Sequence, residues 1–272
     1  MRDDLGRQRS IDLMEAAIDG IAALGGAIIE ATEALGRFIL FLLNSFALIF
    51  RPPFKPRLVI RQIRIIGADS LLLIGLIGLF TGMVLGLQIY TVLRRFGSES
   101  VLGTVVALSL VRELGPVLTA LMIAARSGSA MAAELGSMQV SEQVDALTVM
   151  AINPLQYLVS PRILAGIVSF PLLTAIFNII GIAGGYLIGV DLMGGSGSSY
   201  YSGIRQNLRG EDVAMSVYKA IVFGIVVTWV SCYKGYHAQR MATGVSRATT
   251  EAVVLSSVLV LVFDYFLGSI LL

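Results

Sequence analysis

The sequence predicts an all-α protein that crosses a membrane several times. Two observations carry this. Of 272 residues, 56% are hydrophobic and only 14% charged, with a mean hydropathy of +0.83. Several apolar stretches run for about 20 residues or more, the length a helix needs to cross a hydrocarbon core of ~30 Å. A β-barrel would alternate apolar and polar residues over about ten positions at a time, and these runs are too continuous for that.

Residues 1–36 read as amphipathic. Ile11, Met14, Ile18, Ile21, Ile28 and Leu35 fall on a 3–4 spacing, with Gly25 and Thr32 in the same stripe. The stretch FILFLLNSFALIF, Phe38 to Phe50, is 13 residues long, which suits an interfacial or re-entrant helix better than a span. RPPFKPR at 51–57 ends it, because adjacent prolines cannot continue a helix. A boundary follows: an N-terminal amphipathic and interfacial region at 1–57 and a membrane domain at 58–272. The charged start MRDDLGRQRS lacks an apolar core, so no cleavable signal is expected.

Five spans are expected in the membrane domain, roughly Ile65–Leu93, Val101–Ala125, Ile163–Val190, Val213–Cys232 and Glu251–Leu271. Placing the N-terminus and the 126–162 and 233–250 loops on one side gives that side fourteen Lys and Arg, against four on the other. The positive-inside rule makes the first side cytoplasmic and leaves the C-terminus outside. Gly78, Gly82 and Gly86 in the first span, and Gly181, Gly185 and Gly189 in the third, form stripes of small residues that let helix backbones approach closely. Packing within the chain and a seam between two copies both fit these stripes.

Several function classes are excluded. None of the three lysines (Lys55, Lys219, Lys234) sits in a G-K-[ST] loop, so no nucleotide phosphate cradle is present. One cysteine and one histidine cannot form a His/Cys zinc cluster, and no metal site is expected. The net charge of +2 gives no nucleic-acid footprint. Catalytic residues are not expected, and ATP-driven work would need another chain.

The spans nevertheless contain Arg112, Glu113 and Lys219. A basic residue near the bilayer centre costs about 2.5–3.5 kcal/mol on insertion scales. Adjacent Arg112 and Glu113 point about 100° apart on a helix and cannot pair well, so each needs a partner elsewhere, and Lys219 fits Glu113. Counted together the three carry a surplus of one positive charge, which suits an anionic group such as a lipid phosphate. Pro116 removes a backbone donor and makes a kink easy. A buried ion network holding helices in register is the bland reading; a substrate path or wet cavity is the functional one, and embedded charges more often mark the latter. Tyr90 either lines the same space or anchors the span at the outer interface.

Between the second and third spans lies AAELGSMQVSEQVDALTVMAINP, Ala132 to Pro154. It carries Glu134, Glu142 and Asp145, no Lys or Arg, and an apolar side with Met138, Val140, Val144, Leu147 and Met150. It reads as a short cytoplasmic helix over about 132–150 that transmits force from a partner. Its acids argue against anionic lipid as that partner.

LVRELGPVLTALMIAARSGSAMAAELGSM, EQVDALTVMAINPLQYLVSPRILAG, FPLLTAIFNIIGIAGG and GVSRATTEAVVLSS resemble the MlaE permease family, the membrane subunits of MCE-associated ABC transporters. The similarity covers about Ile60 to Leu272. It implies a permease that moves phospholipids between inner and outer membranes and maintains outer-membrane lipid asymmetry. It also implies a homodimer in the bacterial inner membrane, cytoplasmic ATPase subunits holding ATP and Mg, a STAS-domain protein, and a hexameric periplasmic MCE protein. The family's charged cavity falls on Arg112, Glu113 and Lys219, with Tyr90 in the matching wall. Its coupling helix falls on about 132–150, hence Glu134, Met138, Glu142 and Asp145 as the expected contacts to the ATPase. Two other classes stay open: a proton-coupled secondary lipid transporter working through Glu113, which would normally show internal repeats that are not evident, and a membrane scaffold that transports nothing.

Overall fold

The computed structural model describes residues 25, 26, 29, 30, 32–49 and 56–271. Two compact units divide the chain, 1–47 and 48–272. Most of the amphipathic stripe over 1–36, and the prolines at 52 and 53, lie outside the described residues. The described residues form helices joined by short turns.

Helix α1 (Thr32–Ile49) starts six residues before the expected Phe38 and so reaches 18 residues. With it, six helices are long and apolar enough to cross a membrane, the five expected and α1. Helix α2 (Pro56–Ile66) is short and turns at Gly67 into α3 (Leu71–Arg95). Helix α4 (Glu99–Val140) follows, then α5 (Gln143–Val149) and α6 (Leu155–Leu192). Helix α7 (Gly197–Asn207), α8 (Gly210–Tyr236) and α9 (Ala242–Leu271) complete the order.

Three expectations need correction. The second span does not end at Ala125: α4 runs unbroken for 42 residues, about 63 Å at 1.5 Å per residue. Arg126 and Glu134 therefore sit on a helix and not in a loop. The force-transmitting helix expected over 132–150 is split accordingly. Residues 132–140 belong to α4, and only α5 is separate, because Ser141 ends the helix and Glu142 adopts a left-handed conformation (φ 57°). The segment between the third and fourth expected spans, 191–212, is not a plain connection but contains α7. The Ser196 hydroxyl caps it by accepting the Ser199 N–H, and Tyr200 anchors it, its hydroxyl donating to the Ile182 carbonyl at 2.9 Å. Burial and neighbouring Tyr201 push the Tyr200 phenol up from its ordinary pKa, so it stays a neutral donor.

The glycine stripes meet one another. A Cβ on Gly82 would collide with the Gly181 carbonyl, one on Gly78 would lie 2.9 Å from the Phe177 carbonyl, and one on Gly86 would lie 2.9 Å from that of Gly185. The α3 and α6 backbones thus touch within a single chain, where van der Waals packing replaces the hydrophobic drive that lipid cannot supply. A second crossing joins α6 and α8 at Gly166 and Gly224. On its other side α8 packs on α4 and α9, which makes it the most enclosed span.

The seam makes a direct prediction. Gly82→Ala is expected to lower stability by about 1–3 kcal/mol through overpacking. Gly210→Ala, where nothing lies within 4 Å, should change it by less than about 0.5 kcal/mol. Thermal unfolding of the detergent-solubilised variants measures both, and equal midpoints would refute the seam.

Candidate functional site

The site begins with a local feature of α4. Residues Leu110–Leu114 form a π-helical turn, in which the Gly115 N–H reaches back to the Leu110 carbonyl. Such widened turns cluster at functional positions. Pro116 lies in the first turn of the next α-helical piece (Gly115–Ile123), where its missing N–H does least harm. The wide turn absorbs the proline that the sequence marks as a kink.

Arg112 and Glu113 lie on this turn, about 20 Å along α4 from Glu99. Glu113 does find Lys219: Nζ donates to Oε2 at 2.6 Å. Lys219 is fully buried, and it donates a second bond at 2.8 Å to Asp264 Oδ1 on α9. Arg112 Nε donates at 2.7 Å to Asp212 Oδ1, near the start of α8. The other Asp212 oxygen accepts the Arg209 backbone N–H at 2.8 Å, which caps α8. Gly268 on α9 faces the cluster: a Cβ there would lie in ordinary contact, 3.6 Å from Lys219 Nζ and 3.7 Å from Glu113 Oε1.

Asp212 and Asp264 were missed in the sequence, and they reverse its charge count. Two cations face three carboxylates, so the surplus is one negative charge and not one positive. The signal for Asp264 was the same as for Arg112, a lone charge in the apolar run VLVFDYFLG. Asp212 stands three residues after Arg209, a helix-start spacing that hides a second role. Accessibility divides the cluster: Lys219 is closed off, whereas Glu113 is 44% and Arg112 37% exposed.

Tyr90 is not brought to this cluster. It is buried, and its hydroxyl donates to the Met193 carbonyl at 2.9 Å, tying α3 to the end of α6.

The residues expected to meet an ATPase bind their own chain first. Glu134 accepts from the buried Arg162 on α6 at 2.6 Å. Asp145 on α5 pairs with Arg240, at the corner between α8 and α9, at 2.8 Å. Met138 is half-buried and Glu142 exposed. The most exposed apolar side chains here are Val149 at 88% and Met150 at 68%, at the end of α5.

These contacts predict how stability divides. Lys219→Met alone leaves two carboxylates without their cation and is expected to cost about 3–5 kcal/mol. The triple change Lys219→Met, Glu113→Gln, Asp264→Asn removes the imbalance and should recover most of the loss. Detergent-melting curves of both variants test this; a triple variant as unstable as the single one would show that the network is not the source.

Known proteins resemble this chain over most of its length. The family described as "Permease MlaE" matches residues 59–270. The intermembrane phospholipid transport system permease protein MlaE of Haemophilus influenzae is 44% identical over 259 residues, covering 93% of this chain and 98% of that one. A probable ABC transporter permease protein of Rickettsia bellii is 44% identical over 245 residues, covering 90% and 95%. The chloroplastic protein trigalactosyldiacylglycerol 1 of Arabidopsis thaliana is 37% identical over 213 residues, covering 78% of this chain and 61% of that one.

Proposed function

The chain belongs to the MlaE permease family, an ABC permease for phospholipid transport, and from this premise we propose how its residues serve that task. Two copies work with cytoplasmic ATPase subunits that hold ATP and Mg, and they pass phospholipid between the inner and outer membranes, preserving outer-membrane asymmetry. A STAS-domain protein and a periplasmic MCE hexamer complete the assembly. The protein lies in the inner membrane with α3, α4, α6, α8 and α9 crossing it, α1 in the interface, the N-terminus cytoplasmic and the C-terminus periplasmic.

The observation that carries the mechanism is the unbroken α4. One rod holds Arg112 and Glu113 in the bilayer and Glu134 at its far end, with α5 attached. A push on α5 crosses the turn at Ser141–Glu142 and then runs along one continuous helix to the charged cluster. Val149 and Met150 offer the ATPase an apolar foothold. In the membrane, Arg112 is the cation that meets the lipid phosphate. It is part-exposed, and when it swings away Asp212 keeps the Arg209 N–H. Lys219 has no such freedom and serves as the internal tie. Glu113 and Asp264 face the space between copies, beside the exposed apolar face of α9 formed by Val254, Val258, Leu261 and Tyr265.

A second reading, proton-coupled transport through Glu113, keeps some support from that residue's exposure. Reconstitution of the complex with labelled phospholipid in donor and acceptor vesicles separates the two. ATP-dependent transfer is expected, and transfer driven by a pH gradient without ATP would overturn the ABC reading. Val149→Asp with Met150→Asp is expected to cut ATP-stimulated transfer at least tenfold, the effect of about 1.4 kcal/mol at the docking face, without altering the melting midpoint. Undiminished transfer by this variant would remove α5 from the coupling path.

A further inference from the structure

Fourteen residues after Arg112, α4 carries a second arginine in a second π-helical turn, Arg126 in Ala124–Gly128. Its surroundings differ from those of Arg112. Nη1 donates to Ser70 Oγ at 2.7 Å, and Ser70 Oγ itself donates to the Ile66 carbonyl at 2.7 Å. Buried Ser127 lies alongside, 3.4 Å from Ser70. Arg126 is thus held in place by a hydroxyl, yet it is exposed and has no ion-pair partner among the described residues. Asp69 is exposed nearby but makes no ion pair with it.

Depth follows from the same contact. Ser70 immediately precedes the spanning helix α3, so the arginine bonded to it sits at the level where that span begins. Counted along α4, Arg126 lies about 40 Å from Glu99, beyond a hydrocarbon core of ~30 Å that starts at that end. Both measures place it among headgroups on the side where α2 lies. Helix α2 adds Arg57, Arg61 and Arg64 at i, i+4 and i+7, all exposed on one face. The corner between α2, α3 and α4 is therefore basic, whereas the cluster at Arg112 carries a negative surplus.

We infer that Arg126, positioned by Ser70, forms a separate site for a phosphodiester, taken from the headgroup of a lipid in the adjoining leaflet. The inference rests on the phospholipid-transport reading for the identity of the ligand only. Arginine suits this role because its planar fork keeps free N–H groups after one is spent on Ser70. The basic face of α2 raises the local concentration of anionic lipid.

The test uses the full chain in phosphatidylcholine vesicles containing a trace of phosphatidylglycerol with a photoactivatable headgroup. Peptides containing Ser70 and Arg126 should be labelled. Arg126→Gln should lower that labelling about fivefold, Arg126→Lys should retain most of it, and Arg94→Gln at the other end of α3 should leave it unchanged. A diacylglycerol analogue, which lacks the phosphate, should label the wild type weakly, a comparison that needs no variant to fold. Equal labelling by diacylglycerol, or wild-type labelling in a folded Arg126→Gln, overturns the site. Displacement by excess inorganic phosphate overturns the lipid assignment. Labelling needs neither ATP nor partners, so a complex that labels here yet transfers nothing refutes the transport reading and leaves this site standing.

Discussion

Everything in the membrane domain is arranged around an ammonium group with no exposure. Lys219 Nζ is fully buried, and Glu113 from α4 and Asp264 from α9 both reach it and accept its hydrogen bonds. Taking away either carboxylate weakens the compensation of a desolvated cation. Three helices are thereby fixed in register. The π-helical turn makes this possible. Asp212 and Lys219 lie seven residues apart on α8, about 10.5 Å along its axis, and adjacent Arg112 and Glu113 serve one each. Side chains that diverge from a widened turn can span that interval.

The opposite side of the domain is held by close contact, with neutral hydrogen bonds from Tyr90 to Met193 and from Asn178 to Ser216 beside it. The backbones of α3 and α6 touch at glycines, and α6 meets α8 the same way. Such a seam tolerates no side chain and has no charge to exchange. The tie of α4, α8 and α9 is polar, and Glu113 and Arg112 remain partly open. Motion driven by a partner is therefore most easily accommodated on the polar side, where pairs can be exchanged, and resisted on the glycine side, where any displacement opens a void.

Much of this was legible in the sequence, for specific reasons. Apolar length gave the five spans, since backbone satisfaction in lipid leaves a helix no alternative. The pairing of Glu113 with Lys219 followed from the cost of either alone. The glycine stripes announced close packing but not its partner, because spacing on one helix says nothing about the surface facing it. Asp264 escaped because an acid inside a long apolar run was not weighed with the bases. The extension of α4 past Ala125 was hidden by polarity: a stretch such as SAMAAELGSMQ (129–139) ends a membrane segment without ending a helix, and hydropathy detects only the first. The break at Glu142 depends on a left-handed backbone that the run Ser141-Glu142-Gln143 does not demand.

The stretch of α4 between the two arginines sharpens the mechanical problem. From Gly115 to Ala125 it reads GPVLTALMIAA, and its one polar side chain, Thr119, is fully buried. A phosphate leaving the level of Arg126 for that of Arg112 must cover about 21 Å along a surface offering it no donor. At the far end Arg112 is occupied by Asp212, within a cluster that already carries excess negative charge. Neither the passage nor the arrival is favourable in the conformation seen. On the proposed path, lipid binding alone leaves the headgroup at the leaflet, so transfer through this cluster calls for a second conformation in which Arg112 parts from Asp212. In the function proposed above, the free energy of ATP acts on that exchange through α4, a helix long enough to join the two levels to its far end.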